Sequence, residues 1–342
     1  MNSSSHYLIP FSNIEIIILA NQHSFSQTAF NGQLLPFITI GNKAILQHII
    51  DKFSTYHYFR LNIVCLEDDF SSFEAWQQLE SQKNDDEVNS RIQIFPVSSN
   101  IKTCDIIRQI VQIRKSSKDN LPGYFVVYPL NLFTSINIED VIDFHRANKS
   151  QMTLLVSSTE QGVQEKERRI SPGFNMSNYQ FEGLKGKRFI VYDESKKDQL
   201  VQLLSNDDAL KEDCDLNLQH NEVQNMELGS HVLKKYPTLV IDTSLIFTGA
   251  CILSPEIIEF LHNHTEINSI ESELIPTVCS ENQKLNINSS IFLFRIKTND
   301  DFAFRLNDFV SYYVANMRIA SGILTSYSPK NEQEIEAQPT KH

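Results

Sequence analysis

A strand that ends in a polar turn ahead of an amphipathic helix is where α/β proteins commonly hold phosphate, and this chain offers such a turn early. The apolar run Ile14-Glu15-Ile16-Ile17-Ile18-Leu19-Ala20 leads into Asn21-Gln22-His23-Ser24-Phe25-Ser26, and Pro36-Phe37-Ile38-Thr39-Ile40-Gly41-Asn42-Lys43 then opens an amphipathic helix. Backbone amides can cradle a phosphate there only if the chain turns at positive φ and approaches the anion closely, and a Cβ obstructs both. No glycine stands between Ile14 and Ser26. The turn supplies amides and hydroxyls instead, the outline of a nucleotide entrance without its chemistry. Elsewhere the 10 glycines never cluster, Gly183 and Gly186 being the nearest pair, and no G-K-S/T segment forms a P-loop.

Other reactive residue types are equally dispersed. His262 and His264 stand two apart on an expected helix, so they point to different faces and read as surface residues rather than a metal pair. Cys65, Cys104, Cys214, Cys251 and Cys279 occur singly, with no C-x-x-C, and read as reduced thiols of a cytosolic protein. The aromatic residues, 22 Phe and 11 Tyr, fall mainly in strand or helix runs where packing is their default use. Tyr56-His57-Tyr58-Phe59 differs: four bulky rings at one helix-to-strand connection leave little room to bury them all, which suggests an interface.

Composition narrows the classes further. With 342 residues, 41% of them hydrophobic, the chain can bury a substantial core. Its net charge of -12 argues against a nucleic-acid surface of its own, because phosphate neutralisation needs clustered Lys and Arg. The N-terminus lacks a basic export region, and the apolar runs are too short for a membrane span.

The elements that would position these residues alternate between strand and helix patterns, the mark of βαβ units and a mostly parallel sheet. Strands are expected over residues 14–20, 61–66, 92–97, 124–128, 152–157, 188–192, 239–242, 245–253, 291–297 and 302–306. Helical faces are expected from Ile45, Leu46, Ile49, Ile50 and Phe53, and from Ile106, Ile107, Ile110, Val111 and Ile113. Further helices are expected over 138–147 with Asn137 as N-cap, from Ser254-Pro255-Glu256 onward, and over 309–324. The segment 193–225 is acidic and reads as a surface insertion or loop.

These pieces resemble the nucleotidyltransferase-like domain of the sugar-nucleotide pyrophosphorylase superfamily, and more narrowly the gamma-subunit family of eukaryotic translation initiation factor 2B. Ser269-Ile270-Glu271-Ser272-Glu273-Leu274-Ile275-Pro276 matches that family's S-I-x-S-E-L-I-P segment. Gly41-Asn42-Lys43 resembles its G-N-K turn, and residues 227–237 its strand-and-helix lead-in. Arg305-Leu306-Asn307-Asp308-Phe309, with Tyr313 and Ala315-Asn316, resembles its R-x-N-x-L-x-x-Y-x-x-A-N helix entry. The resemblance implies an α/β, Rossmann-like, mixed and mostly parallel sheet flanked by helices, without the C-terminal left-handed β-helix of full-length members. It implies one domain over residues 1–324, with insertions near 158–187 and 193–225, and a disordered tail over 325–342.

The superfamily transfers nucleotidyl groups with Mg²⁺, cations and a glycine-rich cradle, and the sequence departs at each decisive place. The G-G-x-G-x-R cradle corresponds to Gln22, His23, Ser24, Phe25 and Ser26, with Ser26 in place of the arginine. Leu35 stands for the reactive lysine, and Asn131 for the metal-binding aspartate. A leucine cannot stabilise developing phosphate charge, and a neutral amide is a poor ligand for a hard cation. From the residues alone Asn131 reads equally as a loop asparagine that ends a strand. Thr103, Asp105 and Arg108 keep the look of the base-side helix, retained for packing. Glu271 stands where the family commonly has a basic residue. Leu274 and Ile275 read as core or interface residues, with Pro276 able to end a helix.

The resemblance therefore implies a cytosolic, non-catalytic scaffold or regulatory subunit, with no cofactor, metal or catalytic residue. Its partners would be the epsilon and other subunits of initiation factor 2B and the G protein initiation factor 2, with no direct nucleic acid and no membrane. A sugar-phosphate nucleotidyltransferase with a rebuilt site, or its nucleotide-sugar-binding regulatory subunit, is the alternative.

Overall fold

Every residue of Ile14–Leu19 is buried because strand β1 lies inside a sheet covered on both faces. The computed structural model describes residues 14–21, 33–54, 59–81, 91–116, 122–158, 189–204, 230–236, 238–285, 291–296, 302–306 and 309–320. Successive side chains of β1 alternate between two cores. Ile16 and Ile18 join Ile45, Leu46, Ile49, Ile50 and Phe53 of helix α1 (Ile45–Ser54) on one side. Ile17 and Leu19 join Ile106, Ile107, Ile110 and Val111 of a later helix, Thr103–Ser116, on the other.

After β1 come a short hairpin, β2 (Thr39–Ile40) and β3 (Lys43–Ala44), then α1, β4 (Phe59–Leu66), α2 (Phe70–Ser81), β5 (Ile92–Val97) and α3 (Thr103–Ser116). β6 (Tyr124–Pro129), β7 (Leu132–Thr134), α4 (Ile138–Ala147) and β8 (Met152–Ser158) follow. Next are β9 (Phe189–Asp193), β10 (Gln199–Leu204), α5 (Ser230–Lys235), β11 (Leu239–Asp242), β12 (Leu245–Leu253) and α6 (Pro255–Asn263). A π-turn, Ile270–Leu274, leads into α7 (Ile275–Leu285), and β13 (Ile291–Arg295), β14 (Ala303–Arg305) and α8 (Phe309–Ala320) complete the described elements.

The main sheet has ten strands in the order β11-β9-β10-β13-β8-β12-β6-β1-β4-β5. β5, β4, β1 and β6 run parallel, β12 is antiparallel to both β6 and β8, and β13 is parallel to β8. The fold is thus α/β, with a large mixed sheet that is mostly parallel in its core. Helix α4 starts as its residues dictate, with the Asn137 side chain accepting from Glu139 N at 2.9 Å. Pro255 stands in the first turn of α6, where its missing donor costs nothing.

Three elements depart from the expectation. Gln199–Leu204, inside the segment read as a surface insertion, is a strand paired with β9 and β13. Its entry turn uses left-handed Lys197 and Asp198 (φ 56° and 62°) where glycine would have announced a hairpin. Helix α2 buries Phe73 and only part of Trp76, too weak a stripe to declare itself. Pro276 does not end a helix but stands at the second position of α7, just after the π-turn. Its missing N–H and its ring disfavour a regular i to i-4 ladder, and the chain there bonds Ile275 N to Ile270 O instead. The expected insertion over 158–187 lies outside the described residues beyond Ser158, as do 205–225 and the tail.

One polar group interrupts the apolar faces. Glu15 in β1 (2% exposed) accepts from Arg114 Nε of α3 at 2.8 Å and from Asn62 Nδ2 of β4 at 2.7 Å. Arg114 Nη2 also reaches Asn62 Oδ1 at 3.1 Å, so a buried charge pair and an amide satisfy one another across two strands and a helix.

Candidate functional site

In an open α/β sheet ligands bind beyond the carboxyl ends of the strands where the strand order reverses, which here lies between β1 and β6. The described residues that follow the parallel strands are Ala20-Asn21 after β1, Glu67-Asp68-Asp69 after β4, Ser98-Ser99-Asn100-Ile101-Lys102 after β5 and Leu130-Asn131 after β6. Lys102 is the one cation among them, against three carboxylates in the turn after β4. A triphosphate would meet repulsion at this edge. Gln22, His23, Ser24 and Ser26 lie outside the described residues.

Asn131 sits in the tight turn that folds β6 back into β7 and is 4% exposed. Its side-chain amide donates to Leu306 O at 3.2 Å, and Leu306 N donates to Asn131 O at 2.8 Å. The turn is fixed further by Leu130 N donating to Leu19 O (3.1 Å) and Tyr128 Oη to Leu132 O (3.0 Å). Asn131, which the resemblance would set at a metal-binding position, is therefore built into the frame, its amide turned toward a backbone carbonyl. These residues do not fit a divalent cation, which selects charged oxygen ligands. Among the described residues no group of three His, Cys, Asp or Glu side chains is placed to hold a metal ion.

Leu35 belongs to a single 3-10 turn, Leu35–Phe37, with Pro36 buried and Phe37 packed on Phe73 at a ring distance of 5.2 Å. Its half-buried side chain lies against the α1 side of the core and serves as packing surface. Leu35 and Asn131 are thus both parts of the frame.

Beside Asn131 the space between β6 and β12 is filled from within. Gly249 has φ +83°, and a Cβ built there would lie 1.9 Å from Arg305 Nη2 and 2.9 Å from Pro129 Cγ. The arginine of the R-x-N segment occupies what a side chain on β12 would otherwise take.

The other motif residues are brought together in pairs. Gly41 and Asn42, both left-handed (φ 56° and 67°), make the two-residue hairpin turn between β2 and β3. Gly41 N donates to Asn316 Oδ1 at 3.1 Å, and Tyr312 Oη donates to Thr39 O at 2.9 Å. The G-N-K turn and the A-N helix thus form one joint. The tyrosine in that joint is Tyr312; Tyr313 is 47% exposed on the outer side of α8.

Arg108 clamps the end of α6, with Nε donating to Leu261 O (2.8 Å) and Nη2 to His264 O and Ile267 O (both 2.6 Å). Asp105 pairs with the same guanidinium. The packing role expected for this helix is what these contacts perform. Ser269 caps the π-turn by accepting from Ser272 N at 3.3 Å, and Glu273 accepts from Asn268 N at 2.6 Å, a variant of the reciprocal capping box. Leu274 and Ile275 are both at 0% exposure in the α3 core, and Glu271 is half-buried.

His264 pairs with Glu266 at 2.9 Å on the surface. Cys65, Cys104, Cys251 and Cys279 are free and buried, and burial pushes the thiols of Cys65, Cys104 and Cys279 up to about 12. Cys214 lies outside the described residues. Phe59 is buried against Phe53 (6.4 Å), which removes one ring from the expected surface cluster, while Tyr56, His57 and Tyr58 are not among the described residues. Among the described residues no helix is long and apolar enough to cross a membrane. No family model matches the chain.

Proposed function

We propose that this chain is a non-catalytic, pyrophosphorylase-like scaffold subunit of a guanine-nucleotide exchange complex, similar in role to the gamma subunit of eukaryotic translation initiation factor 2B. The observation that carries the reading is the state of Asn131: buried, neutral and bonded to Leu306 where nucleotidyl transfer needs an exposed carboxylate. Leu35 packed half-buried against the core and the carboxylates of Glu67, Asp68 and Asp69 at the strand ends agree with it. So does the use of the G-N-K, S-E-L-I-P and A-N segments as joints of the frame.

A subunit of this kind works through surfaces. Exchange factors stabilise the nucleotide-free G protein and so weaken nucleotide retention, a shift of population that requires no reactive group on the scaffold. The partners of this reading are the epsilon and other subunits of initiation factor 2B together with initiation factor 2, and its place is the cytosol. Affinity purification of the tagged chain from its native cells tests it, with co-recovery of initiation factor 2 and 2B subunits as the expected result. Recovery without any of them defeats the reading. Isothermal titration with nucleoside triphosphate and Mg²⁺ is expected to give no heat, whereas pyrophosphate release with a sugar phosphate would make the chain an enzyme.

A further inference from the structure

The two edges of the main sheet are finished differently. β5 carries Pro96 in its strand, a residue that cannot donate to an added neighbour. β11, Leu239-Val240-Ile241-Asp242, pairs with β9 on one side and has no proline. Leu239 and Ile241 stand opposite Asp193 and Val191, so they share the face where Val191, Val201, Val232 and Tyr236 form a small third core with Leu239. The six-residue helix α5 covers that core only in part, and Ile241 (49%) and Leu233 (55%) remain exposed.

Lysines gather on the same face. Lys196 and Lys235 hold their ammonium groups 4.5 and 5.5 Å from the centre of the Tyr236 ring, and Lys196 Nζ donates to Lys235 O at 3.2 Å. Lys197 and Lys234 are exposed nearby. Glu194, exposed beside them, offsets part of this charge, and the other described acids nearby are engaged within the fold. Asp193 accepts from Ser195 and Thr238 and lies 4.0 Å from Lys196 Nζ, Asp198 accepts from Arg295, and Asp242 from Ser244 and Leu245 N. Burial and then the charge of Lys196 lower the pKa of Lys235.

We propose that the edge of β11 that no described strand covers docks an extended acidic segment of a partner protein by strand addition, with an apolar side chain beside Ile241 and carboxylates toward Lys196 and Lys234. Charge complementarity selects this occupant: a lysine cluster on a chain of net charge -12 favours an acidic visitor. A second copy brings the same lysines and the same net charge and gains no such complement. RNA would engage the lysines but would use neither the backbone edge nor Ile241. This surface is at the opposite end of the sheet order from β1 and β6 and is independent of the reading of that site.

The full chain is tested with a fluorescent Val-Glu peptide of about twelve residues in which every second position is Val or Glu in turn and the positions between are Thr, so that apolar and acidic side chains share one face of the added strand. Saturable binding with slowed amide exchange at residues 239–242 is expected. Ile241→Glu, and separately Lys234→Glu, should each weaken binding about fivefold or more, as should raised salt. Both side chains are exposed, so unchanged circular dichroism and melting are expected of the variants; Lys196→Glu provides a further charge test. Absence of binding, equal binding of a Val-Lys peptide or a backbone N-methylated Val-Glu peptide, or binding without exchange protection overturns the proposal. So does displacement of the peptide by an oligouridylate RNA, or self-association of the chain that Ile241→Glu abolishes.

Discussion

Asn131 and Leu306 hold each other by two hydrogen bonds, amide Nδ2 to carbonyl at 3.2 Å and Leu306 N to Asn131 O at 2.8 Å, across 175 residues of chain. Asn131→Asp exchanges a donor for a carboxylate facing a carbonyl oxygen in a buried turn. A loss of about 2–4 kcal/mol is expected from unfolding in urea, with no Mg²⁺ binding gained.

Gly249→Ala should cost about as much, for a different reason. The alanine would have to adopt φ +83° and would displace the Arg305 guanidinium. Removing that guanidinium with Arg305→Ala relieves the closest clash but leaves the contact with Pro129 and the backbone strain. The double variant is therefore expected to melt above Gly249→Ala with Arg305 intact, yet below wild type.

The Glu15–Arg114–Asn62 cluster separates breaking a buried pair from replacing it. Arg114→Met leaves Glu15 charged at 2% exposure and should destabilise by about 3–5 kcal/mol. Adding Glu15→Leu and Asn62→Val is expected to recover most of the loss. Chemical denaturation of the single and triple variants checks both statements.

Acid should unfold the protein through its histidines. Burial holds the pKa of His145 at about 4, opposed by the charge of Glu256 and reinforced by that of Arg146, and burial also lowers that of His48. A histidine with a lowered folded pKa keeps its full contribution above the unfolded value near 6.5 and loses it as pH falls toward the folded value. For His145 the loss runs between pH 6.5 and about 4, at up to about 1.4 kcal/mol per pH unit. His145→Gln keeps a polar atom near Thr153 Oγ1 and should flatten stability over that window by one proton's share.

Thiol reagents should find little in the folded state. Cys65, Cys104 and Cys279 are buried with raised pKa values, and burial raises Cys251 as well. Mass spectrometry after brief alkylation at pH 8 is expected to show these four unmodified until denaturant is added.

The apolar runs at Ile14 and Leu245 predict strands, and the structure has them, because a strand buried on both faces is apolar at nearly every position, with Glu15 and Thr248 as isolated exceptions. Gln199–Leu204 is hidden by its acidic surroundings and by left-handed turn residues that are not glycine. The candidate site is legible only in part: glycine-poor composition and Leu35 can be read along the chain, whereas the role of Asn131 depends on Leu306. The space at Gly249 likewise depends on Arg305, and the G-N-K hairpin on Asn316. Such partners are distant in sequence, and no local periodicity encodes them. Tyr312 and Tyr313 show the limit at single-residue scale, since a helix turns adjacent side chains to different sides.

The place of β12 between β6 and β8 has a consequence for biogenesis. Both neighbours leave the ribosome well before Leu245–Leu253 does, so a nascent chain halted ahead of that segment carries two unsealed interior strands with nothing to zip them together. Released at that length, it is a substrate for chaperones or for aggregation, and productive folding waits until Leu245–Leu253 has been made.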